Sequence, residues 1–543
     1  MKPGLKLLFK VRYHSLVKSS LVELTFSFSP AGYGEDDMTL QTFFVKAAVR
    51  AIEGDAKEEK DVERVSRLHR IALKVLHQLL LSPFVKPLVD MELENVLTAR
   101  LVSALGVADT YVQVSLLDVL FAALKLSLMR PASQLGQLKK DAGSIKGGRG
   151  PISVETEKTV VAPPRAIPPQ QLLKCLVGGF SSSSSRPVLD SWVNFLTECL
   201  PLLENVIFQI LMPLVECLCE QIRQAFHALK QVFRQGEHNE LISPFNSPEG
   251  TLVALLHGLE QILGAAHDKL VNEEIKSAGA NTKSPDAPTA STFFGNMVSG
   301  VFAVESPQHR SSAANNRLTV LLCFRDTVKS CYAIWSWGDS NAITGESELD
   351  PGSKESWQYV SVRMRGRARR ILEHLFGAET LECLETLIEL WPAKPTPTSD
   401  VKKTGGIFRL INVLDGSRPK HTIPAIFNAI YSRTNPAALE PNRKSALTAE
   451  LQDLDVVVFL VEYARSLEDD AMDEIWADCM VFLKDVLANP FPHRQTLPSL
   501  LSFTAILGEK VDNTNFGEQR RMRKELGVGF HCQLFYQLFS SYI

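Results

Sequence analysis

Only a few stretches of this sequence carry residue types and spacings that could perform chemistry. Residues 143–148 combine glycines with a lysine, as phosphate-binding loops do, but they lack the closing Gly-Lys-Ser/Thr and do not follow a predicted strand. His257 and His267 share one predicted helix but lie too far apart to hold one metal ion. No HExxH or GxSxG motif occurs in the chain. We therefore predict no enzymatic activity, no cofactor and no metal site.

The acidic residues and the cysteines lead to the same expectation. The densest acidic cluster lacks the glycine and the spacing of a calcium loop, and carboxylates in a first helical turn complement the helix dipole, so we interpret it as a helix start: Asp469, Asp470, Asp473 and Glu474. The nine cysteines include no CxxC pair, and Cys217 and Cys219 point to different faces of a predicted helix. The sequence also lacks Asn-x-Ser/Thr sites. These features favour a reducing, cytosolic setting with buried thiols.

The overall composition is that of a globular protein with a sizeable core. Apolar residues make up 45% of the 543 and charged residues 22%, while a net charge of −3 is not that of a chain built to coat nucleic acid. The apolar segment 206–218 falls short of the ~20 residues that a membrane-spanning helix needs. Lys6, Lys10 and Arg12 interrupt the apolar N-terminal run, which is therefore no secretory signal. We expect a chain that does not span a membrane but can rest on one.

Helical periodicity dominates the chain, and helix pairs recur about every 40 residues, the period of HEAT or armadillo repeats. We predict an all-α fold, an irregular α-solenoid of HEAT/armadillo-like helix pairs with disordered linkers; a set of separate helical bundles is the alternative. The clearest predicted helices span residues 67–81, 92–105, 111–128, 252–271, 318–337, 380–391 and 451–463. Within them we expect Thr380 to cap its helix and Pro201 to restart the chain. On the first helix we expect a buried stripe of Leu68, Ile71, Ala72, Val75 and Leu79.

Clusters of Gly, Pro and polar residues mark the expected boundaries between blocks. The predicted blocks are a helical block, 1–129; a flexible Gly/Pro/Lys-rich linker, 130–169; a central helical-repeat block with a polar loop near 275–290, 170–376; a C-terminal helical-repeat block, 377–526; and an atypical tail, 527–543.

Two segments are candidates for membrane or partner contact. The first is an uncharged stripe of bulky apolar residues, Phe293, Phe294, Met297, Val301 and Phe302. Such a stripe either docks on the following helix, residues 318–337, or inserts into curved membrane as lipid-packing sensors do.

The second candidate is a run of arginines, Arg363, Arg365, Arg367, Arg369 and Arg370, with no acidic neighbour before Glu373. The run is either a solvated face whose acidic partners come from a neighbouring helix, or a surface that attracts anionic lipid headgroups or an acidic partner. We expect no nucleic acid here, because no aromatic residues interleave with the arginines to stack on bases.

Several packing segments together resemble one known family. They are residues 186–192 (RPVLDSW) with 212–217 (MPLVEC), 293–302 (FFGNMVSGVF) with 317–324 (RLTVLLCF), and 521–526 (RMRKEL). Over roughly residues 170–526 the chain resembles the Dopey family of large cytosolic trafficking proteins, in a fungal-looking form. The segments are specific through their length and order rather than through any catalytic signature.

The resemblance implies a non-enzymatic scaffold in protein transport between endosomes and Golgi, with an influence on cell polarity. It implies two partners, an Arf-exchange-factor-like scaffold and a P-type ATPase lipid flippase. It also implies a cytosolic protein, peripheral on trans-Golgi network and endosome membranes. No catalytic residue and no cofactor carries over. The alternative is a helical-repeat cargo-binding adaptor of the nuclear-transport type, against which the small net charge argues, since that class tends to be strongly acidic.

The chain departs from the family in two respects. Dopey proteins are far longer, so we expect an internal or C-terminal-side piece of a longer protein. Residues 527–543 carry no formal charge and are rich in Gly, aromatic and Ser residues. They are either a gene-model artefact, such as translation into an intron, or a docking tail that uses Phe530, Leu534, Phe535 and Leu538. Transcript sequencing across Leu526 distinguishes the two.

Overall fold

The computed structural model describes residues 25–27, 37–55, 58, 61–106, 109–129, 171–234, 247–280, 312–338, 351–391, 401–439, 444–447, 451–513 and 522–527. The described chain is helical apart from one small antiparallel ribbon, in which β1 (Thr25–Ser27) pairs with β2 (Asp37–Thr39) and Phe26 lies opposite Met38. The sequence did not predict this ribbon. The chain divides into two compact units, residues 1–210 and 211–543.

The helices of the first unit are α1 (Leu40–Glu53), α2 (Val62–Leu80), α3 (Leu93–Ala104), α4 (Thr110–Ser127), α5 (Leu172–Ser181) and α6 (Leu189–Leu203). Short 3-10 turns, Lys86–Met91 and Ser183–Val188, precede α3 and α6. Alternate helices stack on one another, since α2 packs on α4 and α4 on α6, while α3 packs on both α4 and α5. This stacking of successive helical hairpins is the arrangement of helical repeat proteins.

Close approach of α5 and α6 depends on Gly179. A Cβ at Gly179 would lie 2.3 Å from the indole ring of Trp192, which is fully buried. Glycine therefore allows the two helices to pack around the largest side chain of this core.

The buried stripe predicted for α2 is confirmed at Ala72 and wrong for its larger residues. The residues that α2 buries are His69, Ala72, Leu73, Leu76 and Leu80. Leu68, Ile71 and Val75 are 50%, 62% and 40% exposed. The helix has apolar residues on two faces, and its contacts with α1 and α4 decide which face is buried.

The second unit continues the same architecture. Its helices are α7 (Ile207–Arg234), which begins four residues before the unit, then α8 (Pro248–Ala280), α9 (Ser312–Trp335), α10 (Pro351–Ala378), α11 (Thr380–Leu390), α12 (Val401–Val413), α13 (Pro419–Thr434), α14 (Asp453–Ser466), α15 (Met472–Ala488) and α16 (Leu497–Asn513). One layer stacks α9, α11, α13 and α15 in succession, while α8 packs on α10 and α14 on α16. The predicted helical-repeat fold is confirmed.

Aromatic side chains fill the core between α11 and α16. Trp391 meets Phe459 edge to face at 5.4 Å between ring centroids, and Phe427 stacks on Phe482 at 4.1 Å with the rings nearly parallel. Tyr463 is fully buried beside Phe459. These contacts add to the free energy gained by burying large apolar surfaces.

The structure contradicts the predictions made for Pro201 and Thr380. Pro201 lies inside the last turn of α6, and the chain restarts only at Ile207. Thr380 is the first residue of α11 rather than its cap, and its hydroxyl donates to the carbonyl of Phe376 in the preceding helix. The helix predicted at 111–128, α4 (Thr110–Ser127), is long and apolar enough to cross a membrane, which the sequence prediction did not note. More than half of α4 is buried in this unit, as in the core helix of a globular domain.

Candidate interaction surfaces

The predicted basic run lies on α10, which is held by packing against α8, α9 and α11. The run's arginines fall on several sides of the helix, because neighbours along the chain are about 100° apart. Met364 and Ala368 alternate with them and are fully buried. The five arginines therefore do not share one surface.

Two of the arginines, Arg363 and Arg370, are exposed but paired with carboxylates of α8. Arg363 Nη1 lies 2.5 Å from Glu249 Oε1, and Arg370 Nε lies 3.3 Å from Glu260 Oε1. His374 Nδ1 lies 2.9 Å from the same Glu260 oxygen. A neighbouring helix thus supplies acidic partners, one of the two alternatives left open by the sequence.

The other three arginines differ in their surroundings. The Arg365 guanidinium stacks 4.6 Å from the centroid of the Trp335 ring, a cation–π contact. Arg369 Nη2 donates at 2.9 Å to the carbonyl of Val413, at the end of α12. Arg367 is exposed. Arg367 is therefore the arginine of this run best placed to meet an anionic surface.

The exposed side of α10 is not purely polar. Tyr359 and Val362 are 67% and 61% exposed, and Tyr359 lies one turn before Arg363 and two turns before Arg367. An exposed aromatic and aliphatic pair beside cations is a combination found at membrane interfaces. The apolar candidate segment, Phe293, Phe294, Met297, Val301 and Phe302, lies outside the described residues.

A buried ion pair joins α11 and the end of α13 in the second unit. Arg433 Nη1 donates at 2.8 Å to Glu385 Oε1, and Ser445 Oγ donates at 2.5 Å to Glu385 Oε2. Arg433 Nε also donates to the carbonyl of Leu451. Glu385 is 2% exposed. This network ties the loop after α13 to α11, which is a structural role.

A second group of charges surrounds the start of α11. Arg317 of α9 bonds Glu379 Oε2 at 2.8 Å and Glu274 Oε1 at 3.1 Å, and His267 Nε2 lies 3.8 Å from Glu379 Oε1. Burial, together with the Glu379 carboxylate, raises the pKa of Glu382 to about 7. A carboxyl with such a pKa could exchange protons near neutrality. It is enclosed by helices rather than exposed in a cleft, so it affects stability rather than catalysis.

Neither the acidic run nor the thiols form a reactive or metal-binding site in the described part of the chain. Asp469 Oδ1 accepts a hydrogen bond from Lys510 Nζ at 3.2 Å, and Asp473 and Glu474 lie in the first turn of α15. Burial raises the pKa of the Cys175 thiol to about 12, and the eight cysteines within the described residues are free. No three His, Cys, Asp or Glu side chains in the described ranges are placed to hold a metal ion.

The comparisons with known proteins agree with the helical-repeat architecture. A family model described as the DOP1 TPR domain matches residues 95–264, which include α4 to α7, and one described as DOP1 C-terminal matches residues 459–541. Protein dop1 of Emericella nidulans is 49% identical over 470 residues. The chain belongs to the Dopey family.

The matched Dopey relatives are much longer than this chain. The alignment with the Emericella protein covers 85% of this chain and 24% of that protein. Protein DOP1 of Saccharomyces cerevisiae is 29% identical over 376 residues, 65% of this chain and 20% of that protein. The DOP1 C-terminal match runs to residue 541 and so includes most of the atypical tail, of which residues 528–543 lie outside the described part.

The sequence prediction missed the exposure of one surface, the apolar stripe of α2. Leu68, Ile71, Val75 and Leu79 were grouped on one face that was expected to be buried, and of the predicted stripe Ala72 is the residue that is buried. No local signal separates this stripe from the buried one, because both have helical spacing.

Proposed function

We propose that this Dopey chain is part of a non-enzymatic scaffold that acts in protein transport between endosomes and Golgi. Membership of the Dopey family supports the proposal most strongly, through 49% identity over most of the chain. Stacked helical hairpins with extended outer faces suit contact with several partners. The partners that we propose are an Arf-exchange-factor-like scaffold and a P-type ATPase lipid flippase.

A scaffold of this kind fits the charges and thiols that the structure describes. The carboxylate with the most raised pKa, Glu382, is enclosed by helices, and the buried pair Glu385–Arg433 fastens a loop. Burial raises the pKa of Cys323 to about 12, which keeps that thiol protonated and unreactive at neutral pH. These groups contribute to the fold, which leaves the outer surfaces for binding.

We further propose a cytosolic protein that is peripheral on trans-Golgi network and endosome membranes. Arg367, with Tyr359 and Val362 on the exposed side of α10, is one contact that the described surface offers to anionic headgroups. The ion pairs of Arg363 and Arg370 with α8 limit the net positive charge of this face. We therefore expect weak, salt-sensitive membrane binding that needs partner proteins for strength.

Fractionation of cells that express the tagged chain tests the proposal. The chain should sediment with Golgi and endosome membranes and should be released by high salt or by carbonate. A pool that stays wholly soluble, or that enters the nucleus, would contradict the trafficking role. The nuclear result would favour the cargo-adaptor alternative.

A further inference from the structure

An apolar stripe on α2 faces away from the core of the first unit; it is formed by Leu68, Ile71, Val75 and Leu79. The first three side chains are 50%, 62% and 40% exposed, and Leu79 is partly exposed. They recur at intervals of three and four residues, so they form one continuous row along the helix. The row is about 17 Å long, because each residue advances the helix by about 1.5 Å.

The stripe lies on the side of α2 opposite α4. Ser66 and Arg70 of α2 donate to Asp109 at the start of α4, and His77 lies close enough to Asp118 to lower the pKa of its carboxyl, although burial raises it more. The N-terminal part of α2 thus lies beside the start of α4, and His77, near the end of α2, lies beside Asp118 further along α4. The two helices therefore run parallel. With about 100° between successive residues, Ser66, Arg70 and His77 fall on one side of α2 and the stripe on the other.

The helix α2 has fewer neighbouring helices than α4 has. In the unit, α4 packs between α2 and α6 and buries ten of its eighteen residues. The helix α2 has α4 on one side and α1 beside it, and it buries only five of nineteen residues. The stripe therefore occupies the place where one more parallel helix would continue the layer.

The charges around the stripe define the helix that fits there. Along one border lie Arg67 and Lys74, and Arg64 lies near the N-terminal end, whereas Glu63 is the one carboxylate within α2. The pair of Arg67 with Glu63 is highly exposed and therefore weak, so Arg67 can exchange partners at small cost. A second copy of α2 in a two-fold pair would place basic borders against each other.

We propose that the α2 stripe binds an amphipathic helix of another polypeptide, with aliphatic residues facing the stripe and carboxylates facing its basic border. The helix continues the layer as α4 does on the other side of α2. This proposal can be tested independently of the proposed trafficking role, because peptide binding is measured on the purified chain. An apolar face with a complementary charged border is a common way to recognise helices.

The test measures binding of the full 543-residue chain to a synthetic amphipathic peptide of about 18 residues, long enough to hold a helix. One peptide carries glutamates along the border of its leucine face, and a matched peptide carries lysines. The chain should bind the glutamate peptide, and Ile71→Asp should weaken that binding at least about tenfold. Lys74→Glu with Arg67→Glu should reverse the preference toward the lysine peptide.

Val481→Asp is the matched control, since Val481 of α15 is 60% exposed and lies outside the stripe. This variant should bind the glutamate peptide as the unchanged chain does. Circular dichroism should show that Ile71→Asp leaves the helices folded.

Three results would overturn the proposal. In the first, the chain binds both peptides equally or neither. In the second, Ile71→Asp abolishes binding to anionic phosphatidylserine vesicles, which would assign the stripe to a bilayer. In the third, Ile71→Asp converts a dimer of the chain to a monomer in sedimentation, which would assign the stripe to a second copy.

Discussion

The buried pair between α11 and α13 gives the sharpest stability prediction. Arg433→Met removes the cation but keeps most of the aliphatic volume. Glu385 then remains 2% exposed and still accepts a hydrogen bond from Ser445, but it has lost the cation of Arg433. The change also removes the donor to the carbonyl of Leu451, which fastens the loop after α13.

The expected cost follows from this geometry. Removing one partner of a buried ion pair costs about 3–5 kcal/mol, because the other charge stays buried without its counter-charge. The upper half of that range applies if Ser445 moves with the released loop. For a unit of this size the melting temperature should fall by roughly 4–7 °C.

Thermal and urea unfolding of the purified chain, followed by circular dichroism, measure the effect. Arg465→Met is the matched control, because Arg465 pairs with Glu462 at 2.5 Å on the surface. Its cost should stay below about 1 kcal/mol, since exposed pairs contribute little. A loss below about 1 kcal/mol for Arg433→Met would refute the reasoning. Adding Glu385→Leu to Arg433→Met should recover part of the stability, because no unpaired charge then remains buried.

Three further predictions concern pH, membranes and packing. Because the pKa of Glu382 is raised from an ordinary 4.5 to about 7, the folded state holds this proton more tightly than the unfolded state does. The stability that results is full at low pH, and about 2–3 kcal/mol of it is lost as pH rises through 7. Glu382→Gln should flatten this dependence in urea unfolding at pH 5 and pH 8. Arg367→Ala should weaken sedimentation with anionic vesicles about fivefold, and Glu249→Gln, which frees Arg363, should strengthen it by a similar factor. Gly179→Ala should lower the melting temperature of the first unit, because its Cβ would overlap Trp192.

Each of these three predictions has an outcome that would contradict it. An equal fall in stability between pH 5 and pH 8 in the unchanged chain and in Glu382→Gln would contradict the assignment to Glu382. Vesicle binding that Arg367→Ala and Glu249→Gln both leave unchanged would remove α10 from the membrane contact. Gly264→Ala is the control for packing, because a Cβ there meets open space, and it should be neutral or slightly stabilising. An unchanged melting temperature for Gly179→Ala would show that the two helices can separate without cost.

The sequence was sufficient to predict the helices because their apolar periodicity is long and uninterrupted. The predicted 92–105 and 111–128 differ from α3 (Leu93–Ala104) and α4 (Thr110–Ser127) by one residue at each end. Proline was less informative, since Pro201 and Pro213 both lie inside helices. Tertiary packing outweighs the local cost of proline there.

The faces of helices and the partners of charges could not be predicted in the same way. Leu68 and Leu73 both fit an apolar stripe of α2, and only the position of α4 decides that Leu73 is buried. Likewise the carboxylate beside Arg363 comes from Glu249, which lies 114 residues away in sequence. Such pairs depend on how hairpins stack, and periodicity within one helix contains no information about that.

Affinity purification of the tagged chain, with the bound proteins identified by mass spectrometry, tests the central claim most directly. A chain that works by contact in endosome–Golgi transport should recover a P-type ATPase flippase and an Arf-exchange-factor-like scaffold from membrane extracts. Recovery of nuclear-transport cargo in their place, or a purified chain that turns over a substrate without either partner, would contradict it.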